Sequence, residues 1–311
     1  MTRVAAVDCG TNSIRLLVAD INSTAPASLT DLDRRMEIVR LGQGVDRTGR
    51  IAPEAMKRTL EATGRYAAVC RDLGAARVRF VATSASRDAS NAAEFVAGVR
   101  DVMGVEPEVV TGAEEAALSF AGATRELQGE HEPPFLVVDL GGGSTELVLG
   151  SDGVRAARSV DVGCVRMTER HLVSDPPTPE QVIAATADID AALDVAASDV
   201  PIAETATLVG LAGSVTTITA HALRLPTYDA GRIHRAVLGV DVVRAACTEL
   251  LEMSHDQRAA LRFMHPGRVD VIGAGALVWR RVVERVARDA GITEVVTSEH
   301  DILDGIAWSV A

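Results

Sequence analysis

Two stretches of the chain share one pattern of apolar and polar positions. Residues 4–18 and residues 135–149 each begin with an apolar run, pass through Asp, any residue, Gly, two further residues and Ser, and return to a second apolar run. A short turn rich in Gly, Ser and Asn between two β-rich runs predicts a β-hairpin. Because the pattern occurs twice, aligned on Asp8 and Asp139, it predicts two related halves that each open with a hairpin.

The rest of the chain alternates between strand-like and helix-like periodicity. Pro53 suits the first turn of a helix, Gly74 a helix stop, and Thr178 a helix cap. Strands that alternate with helices indicate an α/β protein. Predicted strands cover 29–40, 76–82, 106–110, 153–160, 206–211 and 294–297, and predicted helices cover 53–73, 91–102, 113–127, 179–198, 214–224, 240–252, 268–289 and 300–310.

The length of 311 residues is sufficient for two domains. The polar, proline-bearing segment 128–134 is the best boundary between them. We therefore expect an N-terminal lobe over 1–127 and a C-terminal lobe over 128–297, with a C-terminal helix over 298–311 that packs back on the first lobe.

Charge and cysteine usage narrow the class of protein. The formal net charge of −12 argues against a nucleic-acid partner. No apolar run reaches the roughly 18–20 residues that a membrane span needs, and the N-terminus lacks the features of a secretory signal. The four scattered cysteines suggest reduced thiols and neither a zinc site nor a redox pair. We expect a cytoplasmic protein without a membrane partner; a homodimer stays open.

Three turns are candidates for binding phosphate, because consecutive backbone N–H groups in a glycine-containing turn form an anion-binding nest. The third turn also opens a helix, whose N-terminus attracts anions. A P-loop is excluded, because the single lysine, Lys57, does not follow a Gly-rich loop. The turns are Gly10-Thr11-Asn12-Ser13, Gly141-Gly142-Gly143-Ser144-Thr145 and Gly213-Ser214-Val215-Thr216.

Carboxylates accompany these turns. Asp8, Asp139 and Glu146 would repel phosphate unless a divalent cation neutralised them, so they predict Mg²⁺ as cofactor, with Mn²⁺ as the alternative ion. Hydrolysis also needs a group that orients or deprotonates water. Glu114 and Glu115 begin a predicted helix and are candidates, although acids at that position also complement the helix dipole.

Basic residues near these segments are open to two interpretations. Arg87 follows the strand at 76–82 and either binds a phosphoryl group or caps the next helix. Arg232, His234 and Arg235 form a basic patch that either contacts substrate or lies in a solvated loop.

In combination, these motifs resemble the exopolyphosphatase / guanosine pentaphosphate phosphatase family. They stand in the family's order and cover nearly the whole chain. The matching segments are Asp8–Arg15, Ala82–Asn91, Gly112–Ala116, Asp139–Glu146, Gly213–Thr216 and Arg268–Ile272.

The resemblance implies a two-lobed, actin-like (ribonuclease-H-like) α/β fold with the active site in the cleft between the lobes. It implies removal of the terminal phosphate of inorganic polyphosphate or of guanosine pentaphosphate. Glu115 matches the family's proposed base, and Arg87 a phosphate-contacting arginine. Asp139 and Glu146 match its metal and catalytic positions, and Asp8 belongs to the same cluster.

Some features depart from the family's pattern or leave rivals open. Thr11 stands where Ser is commoner, and the chain resembles the short form without the helical C-terminal domains. We therefore expect a preference for short polyphosphate. Three alternative functions stay open. The first is a guanosine pentaphosphate phosphatase, and the second is a non-catalytic sensor of polyphosphate or the alarmone. The third is a kinase of the same fold, although no adenosine pocket or acceptor site is evident in the sequence.

Overall fold

A computed structural model describes residues 1–11, 13–22, 28–83, 86–87 and 89–310, except for the side chains of residues 46 and 47. Within these residues the chain divides into two compact units. Unit 1 comprises Met1–Gly122 and Ile302–Ala311, and unit 2 comprises Ala123–Asp301. The predicted boundary at 127/128 lies five residues after the observed division at 122/123.

Unit 1 is built on a five-stranded sheet in the order β3-β2-β1-β4-β5. β1 pairs antiparallel with β2 and parallel with β4. The strands are β1 (Thr2–Cys9), β2 (Ser13–Asn22), β3 (Ser28–Ile38), β4 (Arg77–Ala82) and β5 (Glu108–Val109), and the helices are α1 (Val45–Thr48), α2 (Pro53–Asp72), α3 (Ala92–Met103), α4 (Gly112–Thr124) and, from the C-terminus, α12 (Ile302–Ser309).

The central strand β1 is apolar because both of its faces are buried. Ala5 and Val7 point into the core beneath α2 and α3, whereas Val4 and Ala6 point into the core that α12 covers. The carboxylate of Asp304 on α12 is fully buried and accepts hydrogen bonds from the Arg34 guanidinium, with Nη2 2.5 Å from Oδ1. The C-terminal helix is therefore part of unit 1.

Unit 2 repeats this plan in a six-stranded sheet of order β10-β11-β9-β6-β7-β8. β6 pairs antiparallel with β7 and parallel with β9. The strands are β6 (Phe135–Leu140), β7 (Thr145–Gly150), β8 (Val154–Val160), β9 (Thr207–Leu211), β10 (Val237–Gly239) and β11 (Glu294–Thr297), and the helices are α5 (Cys164–Arg170), α6 (Pro179–Asp199), α7 (Ala212–Ala222), α8 (Ala230–Ile233), α9 (Val240–Glu252), α10 (His255–Ala259) and α11 (Ile272–Ala290).

The order β3-β2-β1-β4-β5 is that of the ribonuclease-H-like fold, and unit 2 repeats it before adding β10, so the predicted α/β fold class is confirmed. Pro53 begins α2, Gly74 ends it with φ +70°, and Thr178 forms a capping box with Gln181. The predicted strand 106–110 is only two residues long, because β5 pairs with the end of β4 alone. Within the part of the chain that the structure describes, no helix is both long and apolar enough to cross a membrane.

Candidate active-site residues

The first hairpin, between β1 and β2, carries an ion pair. Asp8 on β1 lies opposite Arg15 on β2. Its Oδ2 accepts hydrogen bonds from Nε of Arg15 at 2.9 Å and from Nη2 at 2.6 Å, and Asp8 is only 5% exposed. The Gly10 amide donates to the Ser13 carbonyl at 2.9 Å and closes the turn. Thr11 belongs to this turn, and the predicted Asn12 lies outside the described residues.

The second hairpin, between β6 and β7, carries two carboxylates instead. Asp139 on β6 lies opposite Glu146 on β7. The hydroxyl of Ser144 donates to Oε1 of Glu146 at 2.6 Å, and the hydroxyl of Ser159 on β8 donates to the same oxygen at 2.7 Å. The position of one oxygen of Glu146 is thus defined by two donors. The buried Thr145 donates its hydroxyl to the Val162 carbonyl.

The glycine turn of the second hairpin is held from its carbonyl side. The Gly141 carbonyl accepts from the Cys164 amide at 3.0 Å, and the Gly142 carbonyl accepts from the Val165 amide at 2.9 Å. Because C=O and N–H point in opposite directions across a trans peptide, the following amides face away from α5. None of the amides of residues 142–144 donates a hydrogen bond to another described residue. This arrangement fits the predicted anion nest.

Close approach at this turn depends on Gly163. A Cβ atom at Gly163 would lie 2.5 Å from the carbonyl carbon and oxygen of Gly142, which is closer than atoms can approach. Only glycine therefore permits the N-terminus of α5 to lie against the turn.

The third candidate turn follows β9 and begins α7. Because β9 runs parallel to β6, with Leu211 opposite Asp139, this turn and the second hairpin turn lie at the same edge of the unit 2 sheet. The guanidinium of Arg268 lies against Gly213, where a Cβ atom would come within 1.8 Å of Nη2. Its Nη1 donates to the Thr217 hydroxyl at 3.1 Å, while Ser214 is buried.

In unit 1, Arg87 and Glu115 lie together. Nη1 of Arg87 donates to the Val110 carbonyl at 2.9 Å and is 3.5 Å from Oε2 of Glu115 in the first turn of α4. The neighbouring Glu114 instead accepts a 2.9 Å hydrogen bond from Arg79. The resemblance singles out Glu115 as the candidate base, and in the structure the two acids have different arginine partners.

The unit 1 candidates also share one edge of their sheet. The Thr83 amide donates to the Cys9 carbonyl at 3.1 Å, and the Val110 amide donates to the Ala82 carbonyl at 3.1 Å. The carboxyl ends of β1, β4 and β5 are therefore neighbours, which is the usual location of binding sites in α/β sheets. Residues 84, 85 and 88 of the predicted phosphate-contacting segment lie outside the described residues.

One group in the described part of the chain has the composition of a metal site. Glu126, His234 and His300 offer ligand atoms within 4.8 Å of one another. Oε2 of Glu126 is 3.1 Å from Nε2 of His234 and 3.3 Å from Nδ1 of His300. The hydrogen bond from His234, followed by the contact with His300, holds the pKa of the Glu126 carboxyl well below its usual range.

The tautomer of His234 argues against a metal ion in this group. The Glu299 amide donates to Nδ1 of His234 at 3.2 Å, so the ring proton is on Nε2 and points at Glu126. A metal ion on Nε2 would require a proton on Nδ1, opposite the Glu299 N–H, whereas metal-bound histidines normally donate from that nitrogen. His234, predicted as part of a basic patch, is therefore a hydrogen-bond donor to Glu126.

Three contacts of these candidates were not evident in the sequence: Arg268 on Gly213, Ser159 on Glu146, and Glu115 rather than Glu114 beside Arg87. Arg268 stood in a matching motif without an assigned role. For Ser159, the strand register that places it opposite Glu146 is the missing information.

Comparison with known proteins gives a consistent result. The model of the Ppx/GppA phosphatase family matches residues 17–309. The chain is 52% identical to exopolyphosphatase 2 of Mycobacterium tuberculosis, over 100% of this chain and 99% of that protein. It is 32% identical to the guanosine-5'-triphosphate,3'-diphosphate pyrophosphatase of Photobacterium profundum, over 66% of this chain and 39% of that protein.

A solved structure agrees over the whole length. The crystal structure of an exopolyphosphatase-like protein superposes with a TM-score of 0.88 at 42% identity, covering 100% of this chain and 98% of that one. The resemblance inferred from the motifs is confirmed, and the chain belongs to the Ppx/GppA phosphatase family.

Proposed function

We propose that this protein is a phosphoanhydride hydrolase, an exopolyphosphatase that releases the terminal phosphate of inorganic polyphosphate. The observation that carries the proposal is the second hairpin, where the consecutive amides of residues 142 and 143 face away from α5 beside the carboxylates of Asp139 and Glu146. End-to-end similarity to a protein named exopolyphosphatase supports the substrate.

In this proposal the turns bind phosphate oxygens. The amides of residues 142–144 donate to the terminal phosphoryl group, and the turns at 10–13 and 213–214 contribute further donors. Arg268 adds positive charge beside Gly213, and Arg87 neutralises charge that develops in the transition state. These cations supply the local field that a chain of net charge −12 otherwise lacks.

The carboxylates of the second hairpin fit a hard divalent cation. Asp139 and Glu146 offer oxygen ligands from opposed strand positions, and Ser144 and Ser159 fix one oxygen of Glu146. Asp8 fits less well, because the donor to its Oδ2 is the positively charged guanidinium of Arg15, whereas the donors to Glu146 are neutral hydroxyls. We therefore propose Asp139 and Glu146 as the residues that hold Mg²⁺ or Mn²⁺. When bound, the ion supplies Lewis-acid stabilisation of charge on phosphate oxygens.

Glu115 is the proposed base. Its carboxylate takes a proton from water as the water oxygen bonds to the terminal phosphorus. The bond from that phosphorus to the bridging oxygen breaks, and the products are inorganic phosphate and a chain shorter by one phosphate. Nη1 of Arg87, 3.5 Å from Oε2 of Glu115, holds the carboxylate in place.

Substitutions of the adjacent residues Glu115 and Glu114 provide a matched test of the proposed base. We expect Glu115→Gln to lower phosphate release from polyphosphate by about 100-fold or more, because general-base catalysis contributes roughly that factor. Glu114→Gln, which changes one of the two carboxylate partners of Arg79, is the control and should stay within about threefold. Equal activities of wild type and Glu115→Gln at saturating Mg²⁺ would exclude Glu115 as the base.

Guanosine pentaphosphate is the second candidate substrate, because the chain also resembles a protein named for that activity. The turns grip phosphate in either case, so rates on both substrates, measured side by side, decide between them. A series of polyphosphates tests the preference for short chains. Tight binding without turnover in Mg²⁺ or Mn²⁺ would instead indicate a sensor.

We also propose that the protein works in the cytoplasm. Its four cysteines are all free and buried, as is usual in a reducing compartment. A homodimer remains a prediction, which sedimentation at micromolar concentration can test.

A further inference from the structure

Arg166, in the first turn of α5, makes two contacts with the glycine turn of the second hairpin. Its backbone amide donates to the Gly142 carbonyl at 3.1 Å. Its side chain reaches back, and Nε donates to the Gly143 carbonyl at 2.7 Å. The side chain is 40% exposed, and Nη2 lies 3.5 Å from Asp161. Two successive carbonyls of the turn are thus held by a single residue.

The contact with Gly143 acts on the peptide that joins Gly143 to Ser144. Because this peptide is planar and trans, holding its oxygen toward Arg166 aims the Ser144 N–H in the opposite direction. A charged donor on the carbonyl also polarises the peptide, which makes its N–H a stronger donor. Ser144 also orients Glu146 through its hydroxyl, so its backbone position affects both groups.

We propose that Arg166 is a positioning residue for phosphate binding, acting through the Gly143–Ser144 peptide rather than by touching substrate. The proposal rests on the proposed function, because it assumes that the Ser144 amide faces a phosphate oxygen. In this role Arg166 determines the orientation of the Ser144 amide and its strength as a hydrogen-bond donor.

The same helix supplies a control. Arg170 is the last residue of α5, is 41% exposed, and pairs with Asp188 at 2.6 Å. Removing either arginine takes one partly exposed cation from α5. Only Arg166 contacts the turn, so a general effect of charge or helix stability should appear in both variants.

The test compares Arg166→Ala, Arg166→Gln and Arg170→Ala with inorganic tripolyphosphate as substrate. We expect Arg166→Ala to raise KM about five- to tenfold, because a partly exposed hydrogen bond to a charged donor is lost, with kcat within about threefold. Arg166→Gln, which retains a neutral N–H donor, should recover part of the loss. Arg170→Ala should change neither constant by more than about twofold.

A second measurement does not depend on hydrolysis. In ligand-free protein, the amide resonance of Ser144 should shift in Arg166→Ala and not in Arg170→Ala, and calorimetry should show a matching loss of affinity for inorganic phosphate. If both effects appear but wild type does not cleave polyphosphate, the proposed function fails and the role of Arg166 stands. If KM, phosphate affinity and the Ser144 resonance are all unchanged in Arg166→Ala, the role of Arg166 is refuted.

Discussion

The two hairpins share a backbone and differ in charge. Each turn is closed by a Gly amide that donates to a Ser carbonyl, at 2.9 Å in the first and 3.0 Å in the second. Each places an Asp opposite the first charged residue of the return strand. That residue is Arg15 in the first hairpin and Glu146 in the second. The first hairpin therefore pairs its Asp with a cation, while the second pairs its Asp with another carboxylate.

Carboxylates on the two hairpins should respond differently to loss of charge. We expect Asp139→Asn to lower phosphate release at least about 100-fold, because metal-assisted charge stabilisation is worth several kcal/mol. The Mg²⁺ concentration for half-maximal activity should rise by about tenfold or more. Asp8→Asn should leave that concentration within about twofold, because Arg15 already neutralises Asp8. A larger rise in Asp8→Asn than in Asp139→Asn would reverse the assignment.

The next-largest difference should be in the loss of kcat/KM when a glycine at each turn is replaced by alanine. Gly163→Ala places a Cβ atom 2.5 Å from the Gly142 backbone, so the second turn must move. We expect about a 30-fold loss of kcat/KM on tripolyphosphate, because three amides lose their alignment. Gly10→Ala meets its nearest neighbour, the Ser13 carbonyl, at an ordinary 3.7 Å and should cost less than about threefold. Steady-state kinetics measures both; equal losses would mean that the turns are not held differently.

Breaking the ion pair of the first hairpin should lower the free energy of unfolding of the protein. Arg15→Gln removes the guanidinium charge that pairs with the nearly buried carboxylate of Asp8. We expect the free energy of unfolding to fall by about 1–3 kcal/mol, since breaking the ion pair of a buried charge is costly. Urea denaturation monitored by circular dichroism measures it. Asp8→Asn combined with Arg15→Gln should recover part of the loss, and no recovery would show that the pair is not coupled.

The smallest effect concerns Ser159. Ser159→Ala removes one of the two hydroxyl donors to Oε1 of Glu146, while Ser144 keeps its own. We expect activity to fall about threefold and the half-maximal Mg²⁺ concentration to rise by a similar factor. Ser198→Ala on α6 is the control, because its hydroxyl contacts only local backbone. An unchanged Mg²⁺ dependence in Ser159→Ala would show that Ser144 is sufficient.

The sequence predicts the local parts of this picture well. The hairpins, the start and stop of α2 and the cap at Thr178 follow from neighbouring residues, because turn and cap chemistry is short-range. In the aligned repeat Arg15 stands where Glu146 stands in the second copy, and the hairpin register places each of them opposite its Asp.

Contacts between distant segments could not be predicted in this way. Arg268, which precedes α11, reaches Gly213, and Arg166 on α5 reaches Gly143, only because these later segments pack against the two turns. The short helix α5 was not predicted, since seven residues give too little periodicity to recognise. Its N-terminus nevertheless determines which way the glycine turn faces.

The most direct test of the difference in charge between the two hairpins is a crystal of the protein soaked with Mn²⁺ and inorganic phosphate. Diffraction data are collected at the manganese edge. We predict an anomalous peak beside the carboxylates of Asp139 and Glu146. We also predict phosphate density at the amides of residues 142–144. A manganese peak beside Asp8 with none at Asp139 would contradict the account.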